Sequence, residues 1–228
     1  MDRDLNAPPL NPLPWIVWAL ALPIIAVEVV VQLGAMGFAG GPDAIGWRLR
    51  AMEYFAFAPD FLRRSLMTGD WPLQVIWRQV SYILVQRDIT STLFVVVFLL
   101  ALGKMVGEIF RWWAVALIFL ASAAMGALIY TLVMPTNQIP LIGGFPAAYG
   151  LIGAFTFIMW VRHSASGSNQ WRAFSMIGVL MGVQIFFGAI YGGVTWVAEL
   201  GGFVTGFALS FLVAPGGPRQ LMQHLRRR

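Results

Sequence analysis

Six stretches of the chain carry almost no polar residue, and one connector between them has a different texture. The apolar stretches cover residues 15–36, 89–106, 112–133, 145–161, 174–191 and 194–213. A helix rises 1.5 Å per residue, so a hydrocarbon layer of about 30 Å takes about 20 residues to cross. The pattern therefore predicts six membrane-crossing helices. The fourth stretch is the shortest and opens with Pro146 in its first turn, where a missing N–H costs no hydrogen bond. The first is too long for the apolar part of a cleaved signal peptide, and Met1-Asp2-Arg3-Asp4 lacks the basic start such a peptide needs. The connector 37–88 is neither apolar nor plainly polar. It holds amphipathic pieces, Trp47-Arg48-Leu49-Arg50-Ala51-Met52-Glu53-Tyr54-Phe55 and Phe61-Leu62-Arg63-Arg64-Ser65-Leu66-Met67. Arginine among aromatic rings suits the headgroup zone, so this segment is expected to lie on or in the outer leaflet.

Composition agrees with the pattern. Of 228 residues, 59% are hydrophobic and 11% charged, against about 25% charged in soluble domains. A soluble globular enzyme, a disordered chain and a disulfide-stapled secreted domain are excluded. With no cysteine, thiolate nucleophiles, Fe–S clusters and cysteine zinc sites are excluded as well. The net charge of +5 reads as basic loops that orient a membrane protein, not as a nucleic-acid surface.

The distribution of charge gives an orientation. Six crossings put both termini and the connectors after the second and fourth stretches on one side. That side carries Arg3, Lys104, Arg111, Arg162, Arg172, Arg219, Arg226, Arg227 and Arg228 against Asp2, Asp4 and Glu108. The opposite side balances its arginines, Arg48 to Arg87, with acids. The positive-inside rule then places both termini in the cytoplasm, as in a protein of a bacterial inner membrane. The expected organisation is a single all-α transmembrane domain over 1–228. Residues 1–14 form a cytoplasmic start, 37–88 a membrane-associated connector and 214–228 a basic tail.

Candidate chemistry is narrowed by elimination. A Ser–His pair needs an imidazole beside a hydroxyl, and the two histidines, His163 and His224, fall in the expected cytoplasmic connector and tail. The sole lysine, Lys104, ends the second stretch, so a Ser–Lys pair fails too. The intramembrane hydroxyls Ser122, Ser175 and Ser210 have no histidine to join. Glu28 and Glu199 are the carboxyls within the stretches, and such groups are functional candidates by default. They could meet if the first and sixth helices pack together. Otherwise Glu28 could satisfy backbone groups freed by Pro23, and Glu199 could be neutral or hydrogen-bonded to Tyr, Gln or Arg in the bundle. Two distant carboxylates without histidine make a poor metal site, so neither metal nor cofactor is expected. Gly202 and Gly206, with Gly150 and Gly153, mark two helices able to approach closely, and the expectation is that they pack on each other.

These residues resemble the rhomboid family of intramembrane serine proteases from about Trp77 to Val213. Trp77-Arg78 resembles the family's Trp-Arg in the first connector, followed by Ser81-Tyr82. Leu93-Phe94 and Gly103 resemble its second crossing. Phe145-Pro146-Ala147-Ala148-Tyr149-Gly150-Leu151-Ile152-Gly153-Ala154 resembles its fourth. Ala198-Glu199-Leu200-Gly201-Gly202-Phe203-Val204-Thr205-Gly206 resembles its sixth. The resemblance implies a six-helix rhomboid-like bundle. It also places the nucleophile position on Phe145 and the base position on Glu199, where active members carry Ser and His. The oxyanion-stabilising positions fall on Ser91 and Val95, and Tyr149 matches the residue that packs under the base.

The expectation is a catalytically inactive rhomboid-like protein. It would bind or hold transmembrane helices of other proteins or serve as a subunit of a membrane complex. Its surroundings would be the lipid bilayer and other membrane proteins, with no nucleic acid and an open oligomeric state. The alternative is an active intramembrane peptidase in which Glu199, with or without Glu28, activates water. A transporter is disfavoured because the sequence shows no inverted repeat.

Overall fold

A computed structural model of the chain describes residues 12–134, 138–167, 169–191 and 193–214. The expectations for residues 1–11, for His224 and the basic tail beyond residue 214, and for 135–137, 168 and 192 lie outside the described residues. Five helices are long and apolar enough to cross a membrane: α1 (Trp15–Ala35), α5 (Ile89–Gly107), α6 (Trp112–Val133), α7 (here Phe145–Ala165) and α9 (Trp196–Val213). The protein is an integral membrane protein, all-helical among the described residues apart from one isolated bridge between Phe57 and Leu141. α8 (Ser175–Tyr191), the expected fifth crossing, has 17 residues and falls just under a full span.

The connector after α1 is built of short helices: α2 (Trp47–Phe55), α3 (Pro59–Thr68) and α4 (Leu73–Ser81), with 3-10 turns at Gly41–Gly46 and Tyr82–Leu84. The first two match the amphipathic pieces read from the sequence. α4 is not among those pieces, although Leu73, Ile76, Trp77 and Val80 form an apolar face at helical spacing; only Val75 of it is buried. It carries Trp77 and Arg78, which staple the connector together. The Arg78 guanidinium donates to Glu53 O (2.7 Å) and Ala56 O (3.4 Å) and lies over the rings of Phe61 and Trp77. Trp77 in turn meets Phe55 edge to face.

Glycine packing fixes the directions of the helices. A Cβ at Gly206 would strike the Gly150 backbone, and one at Gly202 would strike Pro146 O. Residues 146 and 150 thus face 202 and 206 in the same order, so α7 and α9 run parallel at backbone contact. The two glycine-bearing helices pack on each other as expected. A Cβ at Gly126 would lie 2.6 Å from Ala198 O and 3.1 Å from Pro146 Cβ, while Ser122 meets Gly150. That order places α6 antiparallel to α7. Gly103 and Gly107 of α5 meet Val17 and Pro14, which makes α5 antiparallel to α1. α7 is the central helix, with 72% of its apolar window buried against 33% for α1 and α5.

One expectation changes and one open possibility closes. Residue His163 lies in the last turn of α7, not in a connector, because the helix continues through Arg162, whose charge suits a helix C-terminus. Glu28 and Glu199 do not meet. α1 packs on α5 and α6, whereas α9 packs on α7 and α6.

Candidate functional site

The beginnings of α5, α7 and α9 converge on one polar pocket. Its floor is the turn leading into α7. Gly143 adopts φ of 100°, a conformation that a side chain would strain, and its N–H donates to Tyr82 O at 3.0 Å. The next N–H, of Gly144, donates to Oε1 of Gln86 (3.2 Å), whose Nε2 donates to Ile83 O (2.7 Å). Gln86 is buried, and both ends of its amide are used. Phe57 and Leu141 exchange backbone hydrogen bonds at 3.0 and 2.8 Å, which ties the same turn to the connector. Tyr82 is fully buried beneath it, donates to Ala123 O at 2.9 Å, and burial pushes its phenol well above the ordinary value.

Phe145 is the first residue of α7 and stands half-buried at this pocket, and Pro146 follows in the first turn. One turn further, Tyr149 is 3% exposed. From α9, Glu199 enters the same space at 5% exposure. Gln184 of α8 completes the cluster. Its Nε2 donates to Tyr149 Oη at 3.2 Å and to Oε2 of Glu199. Among the described residues no cation is bonded to Glu199. Gln184 escaped the sequence reading. The available signal was a lone amide within the apolar stretch 174–191, a polar group that in a membrane helix needs a partner.

Ser91 lies in the first turn of α5 and lines the pocket, whereas Val95 is fully buried and packs against Gly144. Asp88 caps α5 by accepting the Ser91 N–H at 2.7 Å, and this bond holds its carboxyl below the usual range. Thr195 adds a second hydroxyl, and neither hydroxyl is bonded to Glu199. The cavity enclosed by Gln86, Ser91, Phe145, Gln184, Thr195 and Glu199 measures about 200 Å³. It shares Arg87, Phe145, Gln184 and Thr195 with a larger, mostly apolar crevice of about 780 Å³. That crevice runs between α5 (Phe94, Phe98) and α8 (Leu180, Val183), with Trp196 at its edge. Among the described residues, no group of three or more acidic or histidine side chains could hold a metal ion.

A family model described as the rhomboid domain matches residues 73–216, well over half of the chain. The chain belongs to the rhomboid family. No curated protein matches it. Within this rhomboid protein, the match begins at the first residue of α4 and so takes in Trp77 and Arg78, the whole pocket and every helix from α5 to α9. α1 lies outside it, and with α1 the second acidic cluster. There Glu28 accepts from Arg48 through both oxygens, at 2.7 and 3.1 Å, and from Gln32 at 3.0 Å. Arg48 also donates to Gln86 O at 2.8 Å. Glu28 thus serves Arg48 instead of the backbone near Pro23, and Arg48 turns inward to α1 instead of toward headgroups. His163 stands 14 residues from Tyr149 on the same helix, roughly 21 Å along its axis.

Proposed function

We propose that this rhomboid protein is non-catalytic and binds transmembrane helices of other membrane proteins. The observation that carries the reading is the content of the pocket. At the first position of α7 stands Phe145, which has no nucleophilic atom, and the acidic residue opposite, Glu199, is bonded to an amide and neighbours a phenol. The positions that match the family's catalytic set, Phe145, Glu199, Ser91, Val95 and Tyr149, keep its packing without its chemistry. The large terms of acyl-transfer catalysis are a nucleophile, its base and oxyanion donors. Val95 offers no donor, and Gln86 occupies the Gly144 N–H. The crevice between α5 and α8 offers a mostly apolar surface, suited to van der Waals packing of a partner helix.

The topology proposed with this reading has six crossings. α7 and α9 run parallel, so the chain has to return between them. The 17 residues of α8 reach about 26 Å, close to the hydrocarbon thickness. The charge pattern supports cytoplasmic termini in a bacterial inner membrane, with the cavity opening on the outer side.

A second reading keeps an enzyme, because Glu199 lines a cavity that water can enter and Ser91 and Thr195 stand in it. One experiment separates the two. Purified protein in lipid is given fluorescent transmembrane substrates, beside Glu199→Gln and a fluorophosphonate label. We expect no cleavage and no labelling. Turnover that Glu199→Gln abolishes would replace the binding reading with the peptidase.

A further inference from the structure

Two acidic residues are buried in this protein, and they are treated differently. Glu28 has its cation, with the Arg48 guanidinium at 2.7 Å. Glu199 is buried as deeply, yet among the described residues its partners are neutral, the Gln184 amide and the neighbouring Tyr149 phenol. A buried carboxyl without a cation is costly, and in a membrane protein such a group faces a cavity or a partner. Glu199 faces a cavity, and that cavity adjoins the crevice between α5 and α8, sharing Phe145, Gln184 and Thr195 as its lining. A ligand arriving through the crevice first meets Phe94, Phe98, Leu180 and Val183, then a polar space that ends at Glu199.

We infer that the helix recognised by this crevice carries one basic side chain, lysine or arginine, near its outer end, and that its charged head enters the cavity and pairs with Glu199. This rests on the helix-binding reading above and names the chemistry of the client.

Three observations support it. The crevice is apolar and the cavity polar, which matches a helix with a leucine-type face and a single polar arm. The depth fits as well. Glu199 is the fourth residue of α9 and Tyr149 the fifth of α7, so both lie about one turn below the helix starts. A basic side chain can extend that far along its own stem while its helix stays in lipid. The aromatic ring of Phe145 stands beside this path and offers a face to a cation. Arg87 at the mouth would repel a basic arm on its own, but the adjacent Asp88 carboxylate, held ionised by the Ser91 N–H, offsets it. Pairing would exchange the neutral contacts of Glu199 for an ion pair, and Gln184 and Tyr149 remain able to bond the complex.

The test uses the full chain in lipid vesicles and three labelled transmembrane peptides built on one leucine–alanine helix. They differ at one position a turn below the outer end, which is Lys, Leu or Glu. Binding is read by energy transfer to a fluorophore on the protein. The Lys peptide is expected to bind at least about tenfold tighter than the Leu peptide, and the Glu peptide more weakly than either. In Glu199→Gln the Lys peptide should fall to the level of the Leu peptide, whose own affinity stays the same. Equal binding of Lys and Leu peptides to the unmutated protein overturns the inference and leaves helix binding intact. No binding of any peptide overturns both. Because the first comparison needs no mutant, a Glu199→Gln protein that misfolds does not remove the test.

Discussion

Gly206 has no room for a side chain, and this can be measured at a single position. Its Cβ would enter the space of the Gly150 backbone, which cannot move without shifting the whole of α7. Gly206→Ala is expected to lower the stability of the protein in detergent by about 1–3 kcal/mol, the usual cost of forcing a methyl into a filled core. Gly178 and Gly182 on α8 have nothing within 4 Å of their would-be Cβ. Gly178→Ala and Gly182→Ala should therefore be neutral or slightly stabilising, since alanine favours the helix. Equal losses at all three sites in thermal unfolding would contradict the packing described. The spacing of Gly202 and Gly206 was legible in the sequence because small residues one helical turn apart have few other uses in a membrane helix. A glutamine or tyrosine partner for Glu199 was legible by type, but not that the glutamine is Gln184. Its role depends on α8 bringing it between two helices that are neighbours in space but distant in the chain. Phe145, Tyr149 and Glu199 were named from motif order; Phe145 and Glu199 line the polar cavity, and Phe145 and Tyr149 the crevice beside it. Glu28 was named as well, but its real partner, Arg48, lay in a segment whose arginines read as lipid-facing.

At the scale of elements, the pair Glu28–Arg48 holds α1 to α2, and through Gln86 O it reaches the support of the α7 turn. Removing one partner leaves the other charge in a poor solvent. Arg48→Ala is expected to destabilise the protein by about 3 kcal/mol, and the double change Glu28→Leu with Arg48→Leu by clearly less, because no unpaired charge remains. A double-mutant cycle in detergent unfolding measures the coupling. If the single and double changes cost the same, the pair is not what fastens α2. The long helices α1, α5 and α6 were readable to within a residue or two, since a helix in lipid must keep an unbroken apolar run. α4 was not singled out: at nine residues it is too short to span, although Leu73, Ile76, Trp77 and Val80 recur at helical spacing along one face. The end of α7 was misplaced by four residues for a related reason. Basic residues mark the end of the apolar run but do not stop the helix, which continues until Gly167 takes φ of 69°.

For the whole molecule, the distribution of contacts divides the bundle into a fixed part and a movable wall. α6, α7 and α9 are joined at backbone distance by glycines, and the aromatic side chains Phe157, Trp160, Phe207 and Phe211 interlock at the end away from the cavity. α8 packs mainly on α9 and on the 3-10 turn Gln170–Phe174, and of its described side chains only Ile177 and Met181 are buried. Near the cavity its described hydrogen bonds are the two donated by Gln184. A helix with few buried apolar contacts opens at low free energy, whereas one at the core opens only with global unfolding. Backbone amides of α8 should therefore exchange hydrogen much faster than those of α7 in the same sample. Replacing Gln184 by Leu removes both bonds and leaves the Glu199 carboxyl without that donor. Exchange in α8 should then rise by about fivefold to tenfold, corresponding to the loss of roughly one to two hydrogen bonds' net worth, with α6 and α7 unchanged. A uniform rise across all helices would mean that Gln184 supports the whole bundle. No rise would mean that the apolar contacts of α8 alone hold it in place. Selective loosening of α8 would show that one residue, Gln184, both fastens this helix and holds Glu199, so that under the helix-binding proposal pairing Glu199 with a cation and releasing α8 are linked.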